Sequence, residues 1–270
     1  MAKTRVDLLL VERGLAESRS QAQRLVMAGQ VRAGGQVVSK PSSTVRSDIT
    51  LEVDQPPPFV SRGGEKLHAA LQSFSLNLAG KICADVGAST GGFTDCLLQH
   101  GAAKVYAIDV GQGVLHWKLR QDPRVVVMED CNARYLDRLP EAIRLVTIDA
   151  SFISLKVLLP VIKNWFHPLA PIPEPLKSDV VGEAIILIKP QFEAGRTEVA
   201  RGEGVIRDSG MHRQVLMDVL SFAQDQGWGV GSLMRSPLLG PKGNSEFLAW
   251  LYLPAGDPIH LQEMIDPIFV

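Results

Sequence analysis

The stretch KICADVGASTGGFTDCLLQHG (residues 81–101) joins a short apolar run to a glycine-rich turn and then to a helical pattern. Small residues in such a turn let backbone amides approach a ligand, and the following helix N-terminus favours a carboxylate or phosphate. The turn matches neither GxGxxG nor the P-loop pattern, and the missing P-loop lysine disfavours a nucleoside triphosphate. The residues predicted to contact a nucleoside cofactor here are Asp85, Gly87, Ser89, Gly91, Gly92 and Phe93.

Similar apolar runs follow this stretch, namely KVYAIDV (104–110), RVVVM (124–128), RLVTIDA (144–150) and AIILIKP (184–190). Most are continuously apolar, as expected of strands buried on both faces of a parallel sheet. The segments between them, such as residues 155–165, have helical periodicity. Residues 228–238 and 244–253 predict an antiparallel pair that completes the sheet. The predicted fold class is therefore α/β: a Rossmann-like, doubly wound, mostly parallel sheet with an antiparallel last strand.

The first 54 residues have a different pattern, which predicts a small α+β module. Residues 6–14 and 18–29 predict two helices, with Ser18 as N-cap and Gly29 as stop. Gly34-Gly35 predicts a hairpin, and VRSDITLEV (45–53) predicts one further strand. Three consecutive prolines then form a stiff spacer. We therefore predict one domain over residues 1–54, a linker over 55–60 and a second domain over 61–270.

Charge is distributed unevenly along the chain. The formal net charge is −1, yet residues 3–46 contain eight Lys or Arg and three acidic residues. This excess fits a localised phosphate-binding surface, although charge alone would favour a solvated charged face. The three cysteines show no CxxC spacing, which argues against a disulfide framework and a structural zinc site, so no metal is predicted. No apolar run suits a signal peptide or a membrane span, and a soluble cytoplasmic protein is expected.

The identity of the cofactor is open on this pattern. Asp109 follows the second predicted strand, where a carboxylate can accept hydrogen bonds from ribose hydroxyls, and Asp130 follows the third, where EDCNA could contact adenine. Both features fit NAD as well as S-adenosylmethionine. Hydride chemistry would call for a nearby His or Tyr, but the six histidines do not converge on strand ends. His116 follows Asp109 closely, and a surface or packing role is favoured for it as for the others.

Two lysines and two carboxylates lie in comparable local settings instead. Asp149 and Lys189 each lie at the end of an apolar run, and Glu246 lies at the start of one. Lys66 lies just past the proline-rich spacer. Burial of Lys189 would favour its neutral form, which can act as a base, and Asp149 on a neighbouring strand could orient it. For a single Lys–Asp pair, a structural ion pair would be the simpler interpretation. The four residues together favour proton removal from a weakly acidic hydroxyl.

Several motifs carry a resemblance to a known family. The stretches SRGGEKL, ADVGASTGGFTDCLL, IDASFISL, IKPQFE and GNSEFL resemble the TlyA family, often labelled hemolysin A. The catalytic domain is similar to FtsJ-like ribose methyltransferases, and the N-terminal segment looks like an S-four-type RNA-binding domain. The resemblance implies S-adenosylmethionine as cofactor and ribosomal RNA or ribosomal subunits as partner, with 2′-O-methylation, of cytidine above all, as the reaction.

The same resemblance implies residue roles. It assigns the catalytic tetrad to Lys66, Asp149, Lys189 and Glu246. RNA binding is expected from Arg5, Arg19, Arg24, Arg32 and Arg62.

Two segments are expected to form loops from their composition and position. Residues 167–178 are expected to form a surface loop, and residues 192–211 a lid or substrate loop. Rival readings are a membrane-lytic protein, a non-catalytic ribosome-assembly factor and a base methyltransferase. The last usually carries Asn-Pro-Pro-aromatic where this chain has DASF (149–152).

Overall fold

The computed structural model describes residues 3–54, 57–166, 180–195 and 204–270. The chain forms two compact units, Met1–Pro57 and Pro58–Val270. The predicted loop at 167–178 lies outside the described residues, as do residues 196–203 of the predicted lid. Within the described part, no helix has both the length and the apolar character needed to cross a membrane.

The first unit is a small α+β module, as predicted. Its helices are α1 (Val6–Glu12) and α2 (Arg19–Met27), and its strands are β1 (Lys3–Arg5), β2 (Val31–Ala33), β3 (Gln36–Val37), β4 (Thr44–Arg46) and β5 (Leu51–Val53). The Ser18 side chain accepts a hydrogen bond from the Gln21 N–H at 3.3 Å and caps α2. The hairpin β2–β3 turns at Gly34 and Gly35, both with positive φ. The apolar sides of these elements pack into one core.

The prediction of one strand over residues 45–53 is wrong. This segment contributes β4 to a pair with β1 and β5 to a separate sheet with β2. A turn separates the two strands, because the Ile49 N–H donates to the Arg46 carbonyl and the Asp48 carboxylate pairs with the Arg46 guanidinium at 2.6 Å. Ser and Asp favour such turns by bonding to nearby groups, which interrupts the extended pattern.

The second unit is built on a seven-stranded sheet. Its strands are β6 (Ile82–Val86), β7 (Lys104–Ile108), β8 (Val125–Met128), β9 (Leu145–Ile148), β10 (Gly182–Ile188), β11 (Gly229–Arg235) and β12 (Phe247–Leu253). The order is β11-β12-β10-β9-β6-β7-β8, and β12 runs antiparallel to both of its neighbours. The other pairs, from β10 to β8, are parallel. This arrangement confirms the α/β fold with an antiparallel last strand.

Helices cover both faces of this sheet. They are α3 (Gly63–Ser73), α4 (Gly92–Gln99), α5 (Trp117–Arg120), α6 (Leu155–Lys163), α7 (Pro190–Glu193), α8 (Ser209–Asp225) and α9 (Leu261–Ile265). One apolar cluster joins α3 and α4 to the sheet, and another joins α6 and α8 to its other face. Burial on two faces explains the continuously apolar strands. The predicted lid at 192–211 is partly helical instead, since α7 includes Phe192 and α8 begins at Ser209.

The strand register brings the candidate residues to one edge of the sheet. Val86 lies opposite Ile108 on one side and Ile148 on the other, and Ile148 lies opposite Ile186 of β10. Parallel strands end at the same edge, so the residues that follow them become neighbours. The glycine-rich turn, Asp109, Asp149 and Lys189 all follow these strands.

Candidate active site

The glycine-rich turn lies directly against the backbone that follows β9. Gly87 has φ +82°, and a Cβ atom there would lie 2.7 Å from the Asp149 carbonyl oxygen and 3.1 Å from the Ala150 Cα. Both the left-handed backbone and this close approach exclude larger residues. Gly87 therefore sets the distance between the turn and the backbone of Asp149.

Asp109 holds the turn from the other side. Its Oδ2 accepts a hydrogen bond from the Ser89 N–H at 2.7 Å, and its Oδ1 accepts one from the Gly111 N–H at 2.7 Å. A carboxylate offers about four lone-pair sites, so these two bonds leave capacity for ligand hydroxyls. The side chain thus orders its loop and remains able to bind a ribose.

Two cavities adjoin along this edge. The Asp109 cavity has a volume of about 310 Å³, and its wall includes Asp109, Asn132 and the apolar side chains of Ile108, Ile153 and Leu158. The Lys66 cavity has a volume of about 390 Å³ and contains Lys66, Arg62, Phe93 and Gly240 in its wall. Gly87, Ser89 and Asp149 border both cavities. Groups bound in the two cavities would therefore meet beside Asp149.

Not every residue predicted to contact the cofactor borders a cavity. Gly92 and Phe93 line the Lys66 cavity, and Gly87 and Ser89 line both cavities. Gly91 instead caps α4, where a Cβ atom would collide with Leu115 and Leu119. Asp130 is exposed and lies outside both linings, whereas its neighbours Cys131 and Asn132 line the Asp109 cavity.

Asp85 lies in the protein interior rather than in a cavity wall. Its carboxylate accepts hydrogen bonds from Thr94 Oγ1 at 2.7 Å and Thr147 Oγ1 at 3.0 Å. Burial raises the pKa of Asp85 to about 7, and the nearby Asp149 charge contributes to the rise while the two threonine bonds oppose it. In this structure, Asp85 ties α4 to β6 and β9 beneath the glycine-rich turn.

This raised pKa predicts a pH-dependent stability. An aspartate in the unfolded chain has a pKa of about 3.9, so between about pH 4 and pH 7 the folded chain holds this proton more tightly. The contribution of Asp85 to the free energy of unfolding should therefore fall as pH rises through that window and stay constant above it. Between about pH 4 and pH 7, the free energy of unfolding of wild type should fall by on the order of 1–4 kcal/mol relative to that of Asp85→Asn. Denaturant unfolding at several pH values measures this change. A difference independent of pH would contradict this.

Lys189 and Asp149 form one close pair. Lys189 Nζ lies 2.5 Å from Asp149 Oδ1, and it also donates to the Ala150 carbonyl and to Ser151 Oγ, both at 3.1 Å. The Lys189 side chain is 9% exposed, compared with 23% for Asp149. The pair thus places a buried positive charge behind a carboxylate that borders both cavities.

Lys66 and Glu246 form the second pair, which is more deeply buried. Lys66 Nζ lies 2.6 Å from Glu246 Oε2, with side-chain exposures of 12% and 0%. Lys66 projects from α3, so it is not at a strand end like the other three residues. Glu246 Oε1 is buried and finds no hydrogen-bond partner among the described residues. A Cβ atom on Gly240 would collide with this oxygen, so glycine there makes room for Glu246.

The structure adds residues that the sequence did not single out. Ser151 contacts Lys189, and Glu193 accepts hydrogen bonds from Ser154 Oγ at 2.6 Å and the Leu155 N–H at 2.7 Å, which fixes the start of α6. Phe152 is 90% exposed at a positive φ of 64° and borders the Asp109 cavity. These contacts depend on the loop after β9, whose conformation is not encoded in any short motif.

The predicted RNA-binding arginines fall into two groups. In the first unit, buried Asp7 pairs with Arg5 at 2.8 Å and with Arg19 at 3.1 Å, and hydrogen bonds with Arg5 above all hold the pKa of Asp7 well below its usual range. Arg32 pairs with Asp54 at 3.0 Å, and Arg24 is exposed on α2. In the second unit, Arg62 is exposed and borders the Lys66 cavity.

Comparisons with known proteins agree with this geometry. Residues 59–253 match the FtsJ-like methyltransferase family, and residues 4–48 match the S4 domain. The chain is 45% identical to the 16S/23S rRNA (cytidine-2′-O)-methyltransferase TlyA of Mycobacterium tuberculosis, over 92% of this chain and 90% of that protein. It is 41% identical to Hemolysin A of Brachyspira hyodysenteriae, over 91% and 98%.

The chain belongs to the TlyA family of FtsJ-like methyltransferases. A solved structure of a hemolysin-named protein from Streptococcus thermophilus is 42% identical to it, with a TM-score of 0.69 over 99% of this chain and 96% of that one. The TlyA resemblance drawn from the motifs is thereby confirmed, and so are its two modules, an S4 domain followed by an FtsJ-like methyltransferase domain. The roles of individual TlyA-family site residues in this chain remain predictions.

Proposed function

We propose that this TlyA-family protein transfers a methyl group from S-adenosylmethionine to ribose 2′-hydroxyls in ribosomal RNA. The observation that carries the proposal is that one member of each of two lysine–carboxylate pairs, Lys66 and Asp149, lines a cavity that the glycine-rich turn also borders. The relative from Mycobacterium tuberculosis is named as an rRNA cytidine-2′-O-methyltransferase, which supports ribosomal RNA, and cytidine within it, as the target. A ribosomal substrate implies a cytoplasmic location.

The residues around the turn fit the proposed cofactor. Asp109 has capacity for ribose hydroxyls, Asn132 supplies a polar amide, and Ile108, Ile153 and Leu158 offer an apolar wall for a base. Gly87 packs against the backbone of Asp149, and both residues border the two cavities. When bound, S-adenosylmethionine supplies a methyl group already activated on a sulfonium. The Asp109 cavity would hold the nucleoside part of this cofactor.

Replacement of Asp109 should weaken cofactor binding. In Asp109→Asn, an amide NH₂ would face one of the two backbone N–H groups that now donate to the carboxylate, which disorders the turn and removes an acceptor for ribose. An unsatisfied group of this kind costs about 1–3 kcal/mol, or about 5- to 150-fold in affinity. Calorimetric titration with S-adenosylmethionine measures this loss. Asp122→Asn, at a surface pair with Arg124, is the matched control. Equal affinities for the two variants would contradict the assignment of Asp109.

The Lys189–Asp149 pair suits the chemistry of a sugar hydroxyl. Such a hydroxyl becomes a good nucleophile only as its proton leaves, and the oxygen then gains negative charge. A neutral Lys189 could accept this proton. An ammonium 2.5 Å from Asp149 could instead stabilise the developing negative charge, and this is the role that we assign to Lys189. Asp149 holds the lysine in place, and alignment of the hydroxyl supplies much of the acceleration.

The Lys66–Glu246 pair has a positioning role in this proposal. Glu246 is fully buried and fixes Lys66 at the wall of its cavity, beside Arg62 and Phe93. A fixed ammonium there can hold the ribose or a neighbouring phosphate. Because Arg62 is exposed at the same cavity, it extends the positive charge toward the incoming RNA.

The S4 module should bind RNA through phosphate contacts. Asp7 holds Arg5 and Arg19 side by side, and both guanidinium groups stay partly exposed. Release of counterions makes RNA affinity fall steeply with salt, and removal of residues 1–54 should abolish binding. Arg19→Ala should reduce the slope of log affinity against log salt by about 0.7–0.9. Filter binding at several salt concentrations tests this, with Arg124→Ala as control. Affinity that does not change with salt would contradict the assignment.

The proposed reaction is tested by methyl transfer to RNA. Purified protein is incubated with labelled S-adenosylmethionine and ribosomal subunits that lack the modification. We expect label in alkali-resistant dinucleotides, because a 2′-O-methyl group blocks cleavage of the adjacent phosphodiester. Label in ordinary mononucleotides would indicate a base methyltransferase. Absence of label despite cofactor binding would favour an RNA-binding assembly factor, and leakage of liposomes would favour a lytic protein.

A further inference from the structure

Three metal-ligating side chains converge between α3 and α4, away from the site described above. They are His68 on α3, Cys96 on α4 and His100, which caps the end of α4. His68 Nδ1 lies 3.2 Å from His100 Nε2, and one ligand atom from each of the three residues lies within 4.8 Å of the others. Cys96 and His100 are four residues apart and share one face of α4, while 28 positions separate His68 from Cys96 in the sequence.

The orientation of His100 is fixed by its own helix. His100 Nδ1 lies 2.8 Å from the Cys96 carbonyl oxygen, which can only accept a hydrogen bond. Nδ1 must therefore carry the hydrogen, and Nε2 directs a lone pair at His68. Metal-binding histidines are commonly oriented by such a bond from their other ring nitrogen. The His68–His100 separation is also close to the ~3.3 Å expected for two nitrogens bound at about 2.0–2.1 Å to one tetrahedral ion.

The thiol completes a ligand set that is soft rather than hard. Cys96 is fully buried in the apolar cluster that joins α3 and α4 to the sheet, and burial raises the pKa of its thiol. Two imidazoles and one thiolate suit zinc and similar divalent transition metals, whereas magnesium and calcium prefer oxygen ligands. Cys96 Sγ lies 3.6 Å from His100 Nδ1, which places the sulfur beside the His100 ring, and rotation of the Cys96 side chain would bring it toward Nε2, the nitrogen that would bind the ion.

We propose that His68, Cys96 and His100 bind one divalent transition-metal ion of zinc type. Binding replaces the Cys96 S–H bond by a metal–thiolate bond and releases that proton to solvent. His68 shifts its remaining hydrogen to Nε2, so that Nδ1 can bind the ion. No electron is transferred, and three protein ligands leave a fourth position for water.

The ion would join the helices that carry the two parts of the active site. Lys66 lies two residues before His68 on α3, and α4 begins at Gly92 of the glycine-rich turn. His68, Cys96 and His100 lie outside the linings of both cavities, so the ion would contact neither RNA nor cofactor. It therefore acts as a clamp between α3 and α4, and its primary effect is on stability.

Cobalt substitution tests the site on the full-length chain. Protein stripped with a chelator is titrated with Co²⁺, whose bond to a thiolate gives a near-ultraviolet charge-transfer band. We expect one equivalent to bind, and Zn²⁺ to displace it. Cys96→Ser should lose the band and at least about 100-fold in affinity, since loss of a direct ligand exceeds the 10- to 100-fold loss typical of outer contacts. Cys131→Ser, at the half-buried cysteine, should retain the band.

Thermal unfolding supplies an independent readout that does not depend on the thiol. Saturating Zn²⁺ should raise the Tm of wild type and of His260→Gln, an exposed histidine, by several degrees, and should leave His68→Gln unshifted. Each variant is first shown to be folded in chelator by circular dichroism. The proposal is overturned if wild type gives no thiolate band, if the band persists in Cys96→Ser, or if His68→Gln binds zinc as tightly as wild type.

Discussion

Replacing Lys189 by alanine is expected to lower the rate of methyl transfer to RNA by about 10²–10³-fold while cofactor affinity stays within about twofold of wild type. Lys189 follows β10 and places its ammonium 2.5 Å from Asp149 Oδ1, so its loss removes the positive charge proposed to stabilise the developing oxyanion. Loss of one such preorganised donor typically lowers the rate by about 10²–10³-fold. Among the described residues, Lys189 pairs with Asp149 and hydrogen-bonds to Ala150 and Ser151, not to the residues proposed to hold the cofactor nucleoside.

The measurement is single-turnover transfer from labelled S-adenosylmethionine to unmodified ribosomal subunits, with cofactor affinity determined by calorimetry on the same preparations. Lys163→Ala is the matched control, because this exposed lysine ends α6, donates to the Gln226 carbonyl and lies outside the linings of both cavities. Lys189→Arg keeps the charge but changes the geometry, so it should recover only part of the rate. Normal turnover by Lys189→Ala would exclude Lys189 from the chemistry.

Much of the fold was predictable because the signals are local. Continuously apolar strands, a capping Ser18 and paired glycines in a hairpin each follow from short stretches of sequence. The strand ends then place Asp109, Asp149 and Lys189 at one edge, since parallel strands end together. Whether residues 55–60 form a linker remains a prediction. The boundary along the chain between the two compact units, which lies between Pro57 and Pro58, falls within that range.

What the sequence missed depends on contacts between distant segments. Asp85 belongs to the glycine-rich motif, yet its carboxylate lies in the interior, where it accepts hydrogen bonds from Thr94 and Thr147. The motif alone does not show whether this side chain faces a cavity or the interior. The turn between β4 and β5 depends on Arg46 bonds that compete with an extended pattern. The pairing of His68 with His100 likewise requires α3 and α4 to pack together. The tail after Pro254 carried no signal, but it forms α9 and a 3₁₀ helix over Asp266–Phe269.

Replacing Glu246 by glutamine is expected to impair both stability and methyl transfer. Glu246 is fully buried, and its Oε2 is 2.6 Å from Lys66 Nζ, so the variant leaves a nearly buried ammonium without its counter-charge. Removing one member of a buried pair typically costs about 3–5 kcal/mol of stability. Transfer should fall by at least about 10²-fold, because Lys66 would no longer be held at the cavity wall.

A double variant separates the two effects. Lys66→Met combined with Glu246→Gln removes both charges, and such neutral replacements often restore the stability lost by breaking a buried pair. Denaturant unfolding should therefore show recovery relative to Glu246→Gln alone. Methyl transfer should stay low, since the ammonium proposed to hold the ribose or phosphate is absent. Cofactor affinity should change little in both variants, because Glu246 does not border the Asp109 cavity.

Gly240→Ala examines the same pair without removing a charge. The added Cβ atom would collide with Glu246 Oε1 and push the carboxylate away from Lys66. Gly195→Ala is the control, since Gly195 has no positive φ and its Cβ atom would enter open space. We expect the Gly240 variant to lower the rate of transfer more than the Gly195 variant does. If the double variant recovers activity together with stability, the pair is only structural, and the assignment of Lys66 and Glu246 to positioning the acceptor fails.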